Sequence, residues 1–403
     1  MHPSQDIKGM KSHLLKDKTI ILGVTGSIAA VETIKLSREL IRHDATVIPV
    51  MTPAATRIIH PDALWFATGM NPIVDLTGET EHVSYCGDVP DHADLLLISP
   101  CTANTISKIA NGIDDTVVTT FATTAIGANH AVMIVPAMHK SMYDHRIVQK
   151  NIHQLTEHGI DVVDPYLEKK KAKLASIEEI TARVIRRISE NTLNKKRILI
   201  IGGSCCEPVD KVRSVCNLSS GKTAISFTRH AYYHGAEVEL WYGTSPEQPP
   251  NYVKTKRFRS LDDVKRLIKE TNLEPFEIII VCAALSDYIP EKINEKLDST
   301  KESVKISLKK ADKIIRILRR KCPKGIIIGF KLDDDKNTVI EKAKKLQKEQ
   351  HLDLVVANTI SAIQANETTV WCIDSKTSTR IKGSKDYIAD QIFSRIISMG
   401  SSS

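Results

Sequence analysis

The chain has few aromatic side chains, 5% of its 403 residues. Proteins that bind single-stranded nucleic acid stack bases on aromatic platforms, and no recognition motif accompanies the formal net charge of +8. A solvated lysine surface, with some lysines recruited to phosphates, explains that charge better than a nucleic-acid partner. No apolar run approaches the length of a membrane span, so no membrane partner is expected. The opening MHPSQDIKGMKSHLLKDK lacks the apolar stretch of a secretory signal, and the cytoplasm is the expected compartment. The eight cysteines include no CxxC pair, and adjacent Cys205 and Cys206 are poorly placed for a shared metal. All eight read as free thiols.

Two nucleotide signatures are present only in part. Gly23-Val24-Thr25-Gly26 stops short of GxGxxG, and no acidic residue closes the next strand at Val50-Met51-Thr52. Both features argue against a dinucleotide dehydrogenase. Gly221-Lys222-Thr223 is the tail of a phosphate-binding P-loop, but the glycine required five residues earlier is Cys216. The stretch is a coincidence or a different nucleotide site.

Hydrophobic residues make up 42% and charged residues 26%, the balance of a globular chain with real cores. The length suits two or three domains. Ile20 to Val24 form an apolar run suited to a buried parallel strand. A glycine turn, a helical stripe through Leu36 and Leu40, and a second strand over 45–50 follow. The opening repeats at "KKRILIIGGS", with strands at 198–201 and in "GAEVELWYG". Further strands are predicted over 94–99, 131–135, 277–283, 325–330 and 352–357. The polar stretch "RRISENTLNKKR" marks a boundary near 185–196. The predicted fold is α/β, with two Rossmann-like three-layer αβα domains. The domain expectation is an N-terminal extension over 1–17, a first domain over 18–190 and a second over 191–403. The extension and the tail "SMGSSS" read as disordered ends.

Each strand leaves through a polar or glycine turn, at the edge where open α/β sheets bind ligands. Gly26-Ser27-Ile28 can direct N–H groups and a hydroxyl at a phosphate, and Thr52 adds another hydroxyl. Thr102, Asn104 and Thr105 crowd one turn with donors and acceptors, which can hold a polar ring or cap a helix. Met138, His139 and Met142 can cover a substrate or simply pack. His82 lies between Glu79 and Glu81 and the thiol of Cys86, and a neighbouring carboxylate would raise its pKa and hold it as a base.

Together "GVTGSIAAV", "EHV", "SPCTANTISKIANGIDD" and "PAMHKSMY" resemble the flavin-dependent cysteine decarboxylase family, over roughly residues 18–150. The resemblance implies a flavodoxin-like sheet and bound FMN. It implies that His82 is the active-site histidine, that Gly26, Ser27 and Ile28 meet the FMN phosphate, that Thr102, Ala103, Asn104 and Thr105 line the flavin, and that Met138 and His139 meet the substrate. The chemistry needs an electron sink, because decarboxylating an N-acylated cysteine leaves a carbanion. Oxidising the thiol to a thioaldehyde places C=S β to the carboxylate carbon, and FMN accepts and returns the two electrons. Two departures stand out. His139 replaces the family's usual asparagine, and the flap "VDPYLEKKKAKLASIEE" lacks the cysteine that protonates the product in bacterial members. Cys86, Lys170 and Lys171 are candidate donors. The histidine and the lysine-bearing flap resemble archaeal versions.

"CCEPVDKVRSVCNLSSGKTA" resembles the loop of phosphopantothenate–cysteine ligases, and with later motifs the likeness spans about 197–395. It implies that the GKT opens a helix of a nucleotidyl-transfer enzyme that is not a P-loop protein. It implies a substrate role for Arg213 and a catalytic one for Asn217. "CAALSDYIP" implies Asp287 at the nucleotide or its metal, and "EKLDS" implies Lys296 there, although Asp298 and Ser299 replace the motif's later lysines. "KKADKII" implies Asp312, Lys313, Ile314 and Ile315, "GFKLD" implies Phe330, and Lys344 with Lys348 would pair at the nucleotide. The implied reaction activates the 4′-phosphopantothenate carboxylate as an acyl-nucleotide, from CTP with Mg²⁺, and couples it to L-cysteine. The ligase product is the decarboxylase substrate, so a bifunctional enzyme of coenzyme A biosynthesis is expected. The family likeness implies a homo-oligomer, a dodecamer built from decarboxylase trimers and ligase dimers. An active ligase fused to a flavin-binding scaffold or redox module is the rival reading.

Overall fold

The computed structural model describes residues 2–168, 171–291, 293, 295–297, 302–360, 365 and 367–400. The chain divides into two compact units, Met1–Glu190 and Asn191–Ser403.

The first unit is built on five parallel strands, β1 (Thr19–Val24), β2 (Thr46–Met51), β3 (Leu95–Cys101), β4 (Val132–Pro136) and β5 (Asp161–Val162). Strand β3 is buried at every residue, as a parallel strand covered on both faces should be. Its apolar side chains pack with those of the helices Ala103–Ala110, Val117–Gly127 and Arg146–Glu157. The order is β2-β1-β3-β4-β5. That is the flavodoxin-like winding, whose direction reverses between β1 and β3 and leaves a ligand crevice at their C-terminal ends.

Residues 2–17 are an integral part of this unit, contrary to the expectation of a disordered end. Leu15 is fully buried. The Gly9 N–H donates to the Ile41 carbonyl at 3.1 Å and the Leu15 N–H to that of His43 at 2.9 Å. The segment thus closes the end of helix Thr33–Arg42. It does so with one apolar anchor and backbone bonds, neither of which gives a periodic pattern.

The second unit contains β6 (Arg197–Gly202), β7 (Glu237–Tyr242), β8 (Lys254–Arg257), β9 (Ile278–Val281), β10 (Ile326–Asp333), β11 (Leu354–Thr359), β12 (Glu367–Ile373) and β13 (Ser378–Ser384). Their order is β8-β7-β6-β9-β10-β11-β12-β13. The first six are parallel in the Rossmann order 3-2-1-4-5-6, and the last two run antiparallel. The switch point lies between β6 and β9. At the chain's end, Ser398 to Gly400 belong to helix Lys385–Gly400, and 401–403 lie outside the described residues.

Between β6 and helix Lys222–Tyr233 the chain makes an antiparallel ribbon of Cys206–Pro208 and Ser214–Cys216. A P-loop passes directly from strand to helix, so the ribbon separates this segment from that class. Cys206 and Cys216 lie opposite one another, Cα atoms 4.0 Å apart, and form a disulfide. This corrects the reading of all eight cysteines as free. Only the ribbon's register brings these two together, and ten residues of separation did not reveal it.

Candidate active sites

In the first unit, the expected ligand residues gather at the C-terminal edge of the sheet. Gly26 follows β1 where a Cβ would stand 2.5 Å from the Ala54 Cβ, so the close approach of two backbones there requires glycine. Ser27 caps the short turn Ile28–Glu32, its hydroxyl accepting from the Ala29 N–H at 3.4 Å. Buried Thr52 caps Pro53–Thr56, accepting from the Ala55 N–H at 3.2 Å. Thr102 caps Ala103–Ala110, accepting from the Thr105 N–H at 3.3 Å, and the two hydroxyls are 3.1 Å apart. The threonines thus cap the helix, Ala103 is buried and Asn104 is exposed. Thr25, which sequence reasoning did not single out, joins the two sides of the crevice. Its hydroxyl donates to the Pro100 carbonyl at 2.7 Å and accepts from the Thr102 N–H at 3.1 Å.

His82 lies in helix Glu81–Cys86, and its Nδ1 is buried without a hydrogen-bond partner. Native interiors seldom leave such an atom unpaired unless a ligand or a function uses it. The Glu81 carboxylate does not serve it. Its oxygens accept from the Thr77 hydroxyl at 2.5 Å and the Thr77 N–H at 3.1 Å, and these bonds hold its pKa below the usual carboxylate range. Burial pushes the Cys86 thiol up to about 12, which makes it a poor proton donor.

Met138-His139 forms a ribbon with Lys171–Lys173 and Tyr166–Glu168, so the flap folds back onto the methionine–histidine turn. His139 and Lys171 are directly opposite, both exposed. Lys170 lies outside the described residues.

In the second unit, a cavity of about 640 Å³ opens at the switch point. It brings together Asn217, Asp287, Asp312, Lys313, Ile314, Ile315 and Phe330, all expected at the nucleotide or its reaction. Gly221 lies between wall residues Ser220 and Thr223. Its φ is +80°, and a Cβ would lie 1.9 Å from the Tyr242 hydroxyl, so only glycine can start the helix there. The Asn217 side-chain amide donates to the carbonyls of Ala284 and Leu285, each at 3.1 Å. That pins the side chain across the switch point and leaves its Oδ1 free to accept. Asp287 is ion-paired with Lys313, and Asp312 with Lys265 at 2.9 Å.

Four expected residues are elsewhere. The Arg213 guanidinium donates to the fully buried Asp210 carboxylate at 2.7 Å and to the Leu297 carbonyl at 3.2 Å. It closes the ribbon's loop and is absent from the cavity wall. Lys296 is exposed beside Leu297, also off the wall. Lys344 and Lys348 are exposed on helix Lys336–Gln350 and miss the cavity. Leu346 and Gln350 face it instead. They lie two residues along from the lysines, about 200° around the helix. Gln350 is buried with its Oε1 unpaired.

Sequence reasoning also missed Lys331 and Lys385 on the wall. Lys331 directly follows Phe330 and could have been found. Lys385 comes from the last helix with no local motif, and burial followed by the charge of Lys222 lowers its pKa. A second cavity of about 770 Å³ shares Asp312, Lys313, Lys331 and Gln350 and adds Arg316, Arg320, Lys342 and Lys345. The combined wall is cationic and suits a polyanion. Cys282 lines the first cavity, but burial pushes its thiol up to about 12, so it is no thiolate nucleophile at neutral pH.

Comparison with known proteins agrees with this division. Residues 8–189 match the family described as Flavoprotein. Residues 193–399 match the DNA/pantothenate metabolism flavoprotein C-terminal domain. A coenzyme A biosynthesis bifunctional protein CoaBC from Thermococcus kodakarensis is 41% identical over 375 residues, 92% of each chain. Its counterpart from Methanocaldococcus jannaschii is 37% identical, covering 98% of this chain and 97% of the other. The Bacillus subtilis protein of that name is 30% identical, covering 87% of each.

Proposed function

Because this chain belongs to the family of coenzyme A biosynthesis bifunctional proteins, we propose that it joins L-cysteine to 4′-phosphopantothenate and decarboxylates the product to 4′-phosphopantetheine. The observation that supports this reading best is the pair of switch-point sites on one chain. One is a polar crevice with a glycine-only approach and an unpaired histidine nitrogen. The other is a cationic cavity.

In the second unit, the phosphopantothenate carboxylate attacks the α-phosphorus of CTP and pyrophosphate leaves. Lys313, Lys331 and Lys385 lie where they can offset the triphosphate charge. Mg²⁺ would offset the charge of the nucleotide phosphates and be held mainly by them, with Asp287, which already pairs with Lys313, as the expected protein ligand. The cysteine amine then attacks the acyl carbon, forming the amide and releasing CMP. Asn217, whose N–H₂ group is committed to backbone, presents Oδ1 to accept a proton of that amine and so orients its lone pair.

In the first unit, the Gly26 approach, the Ser27 cap and the Thr52 hydroxyl fit an FMN phosphate, and Asn104 fits the edge of its ring. When bound, FMN supplies the two-electron oxidation of the substrate thiol and returns those electrons after CO₂ has left. His82 Nδ1 orients or deprotonates the thiol. His139 binds the departing carboxylate, and Lys171, opposite it on the flap, donates the final proton. The site is completed by other copies of the chain. Ile28, beside the phosphate cradle, is 77% exposed and Phe66 59%, which favours a homo-oligomer.

His82→Asn tests the division of labour. It is expected to retain FMN by absorbance and to form phosphopantothenoylcysteine at the parent rate, while CO₂ release falls at least a hundredfold. Full decarboxylation in this variant would remove His82 from the mechanism.

A further inference from the structure

Away from both sites, His230 and His234 are four residues apart on one face of helix Lys222–Tyr233 and its C-terminal cap. Asp386 and Asp390 have the same spacing on helix Lys385–Gly400, packed against it. The two imidazoles are almost fully buried, with side-chain exposures of 5% and 11%. His230 Nδ1 lies 3.4 Å from Asp390 Oδ1, and His234 Nε2 lies 3.2 Å from the same oxygen. A tetrahedral ion with bonds of about 2.0–2.1 Å holds its ligands about 3.3–3.4 Å apart. All three donor atoms lie within 4.8 Å of one another.

The surroundings fit as well. His234 Nδ1 is 3.0 Å from the Thr192 hydroxyl, which leaves Nε2 as the coordinating nitrogen. His230 Nδ1 is buried and has no hydrogen-bond partner. Its other nitrogen, Nε2, is 3.9 Å from Asp386 Oδ1, a charge contact longer than a hydrogen bond, and that oxygen is buried with no hydrogen-bond partner. Ligating histidines usually present their second nitrogen to an outer group of this kind, which fixes tautomer and ring orientation.

We propose that His230, His234 and Asp390 form a binding site for a divalent transition metal of the zinc class, with Asp386 and Thr192 orienting the two imidazoles. Two imidazoles and one carboxylate match zinc, cobalt or nickel, whereas magnesium and calcium select all-oxygen sites. Water completes the coordination on the side where Asp390 is one-third exposed. The site acts as a staple. Thr223 and Lys385 line the 640 Å³ cavity, and they lie near the starts of the two helices that the ion would join. Fixing the helices within about two turns of those residues fixes the cavity wall. The inference does not depend on the substrates assigned to that cavity.

The test uses the full chain, stripped with chelator and titrated with Zn²⁺ while Mg²⁺ is in excess to occupy phosphate-type sites. One equivalent per chain is expected to survive gel filtration and raise the unfolding midpoint. X-ray absorption should show nitrogen and oxygen neighbours near about 2.0–2.1 Å and no sulfur near about 2.3 Å. Asp390→Asn and His234→Gln, checked for folding by circular dichroism, should each weaken binding at least tenfold, and Asp386→Asn less. No stoichiometric binding, a sulfur shell, or binding unchanged in Asp390→Asn would overturn the proposal. The first and last outcomes would leave a metal-free His–Asp contact, and the second would move the metal to cysteine.

Discussion

Gly221 shows how one residue ties backbone geometry to a site. Its positive φ turns the chain from the ribbon into helix Lys222–Tyr233, and Tyr242 fills the space where any side chain would start. Gly221→Ala combines left-handed strain of about 1–2 kcal/mol with an overpacking cost of about 1–3 kcal/mol. A stability loss of about 2–5 kcal/mol is therefore expected for the second unit, measured by denaturant unfolding. Adding Tyr242→Phe, which removes the clashing hydroxyl, should recover part of it. An alanine variant as stable as the parent would show that the turn can relax. The other residues of this wall divide by what the sequence displays. Asp287, Asp312 to Ile315 and Phe330 lie in or just after strands within short motifs, so their arrival at one cavity was legible. Lys385 and Gln350 depend on how distant helices lie on the sheet. Lys344 and Lys348 lie off this wall, because two residues along a lysine-rich helix reverse the face that looks toward it.

At the scale of elements, apolar runs bounded by turns located every central strand, with boundaries shifted by a few residues. Strand β9, for example, was expected over 277–283 and forms over Ile278–Val281. Strand order was not legible, because parallel strands read alike and only packing decides their neighbours. Nor were the disulfide and the anchored first segment, which depend on single long-range contacts. Those two elements make predictions. Leu15→Ala should destabilise the first unit by about 2–4 kcal/mol, because the buried site lies beneath a helix end and cannot collapse freely. Thermal unfolding would show it, and an unchanged midpoint would mean that the segment is not anchored. The same segment should respond to acid. Lys11 and Arg42 pair with Glu39. Burial raises the Glu39 pKa, but hydrogen bonds from His43 and Lys11 outweigh it and hold it at about 2. A carboxylate depressed on folding adds stability above its unfolded value near about 4.3, and that stability is lost as pH falls through about 2. Protection of the Gly9 and Leu15 amides relative to their intrinsic exchange rates should therefore fall between about pH 4 and 2 in the parent, and less in Glu39→Gln. For the ribbon, loop closure by the disulfide is worth about 2–3 kcal/mol. Cys216→Ser should lower the second unit's stability by that amount in denaturant melts without reductant. Equal stability would mean that the bond contributes nothing.

At the scale of the whole molecule, one chain carries two chemistries whose order in the reaction is the reverse of their order in the chain. Each half winds an open sheet to a switch point and places polar groups at its C-terminal edge. The two halves differ in what those edges offer, a polar crevice with a glycine-only approach in one and a lysine-lined cavity in the other. If the exposed apolar side chains around Ile28 are covered by further copies, light scattering should give about twelve times the chain mass of 44.8 kDa, and a monomer would remove that support. Among the described residues, no helix is long and apolar enough to cross a membrane. The most direct test supplies the purified protein with 4′-phosphopantothenate, L-cysteine, CTP, Mg²⁺ and FMN and follows the products by mass. The account predicts transient phosphopantothenoylcysteine followed by 4′-phosphopantetheine and CO₂. Phosphopantothenoylcysteine that accumulates without decarboxylation would contradict the account of the first unit, and no coupling of cysteine at all would contradict that of the second.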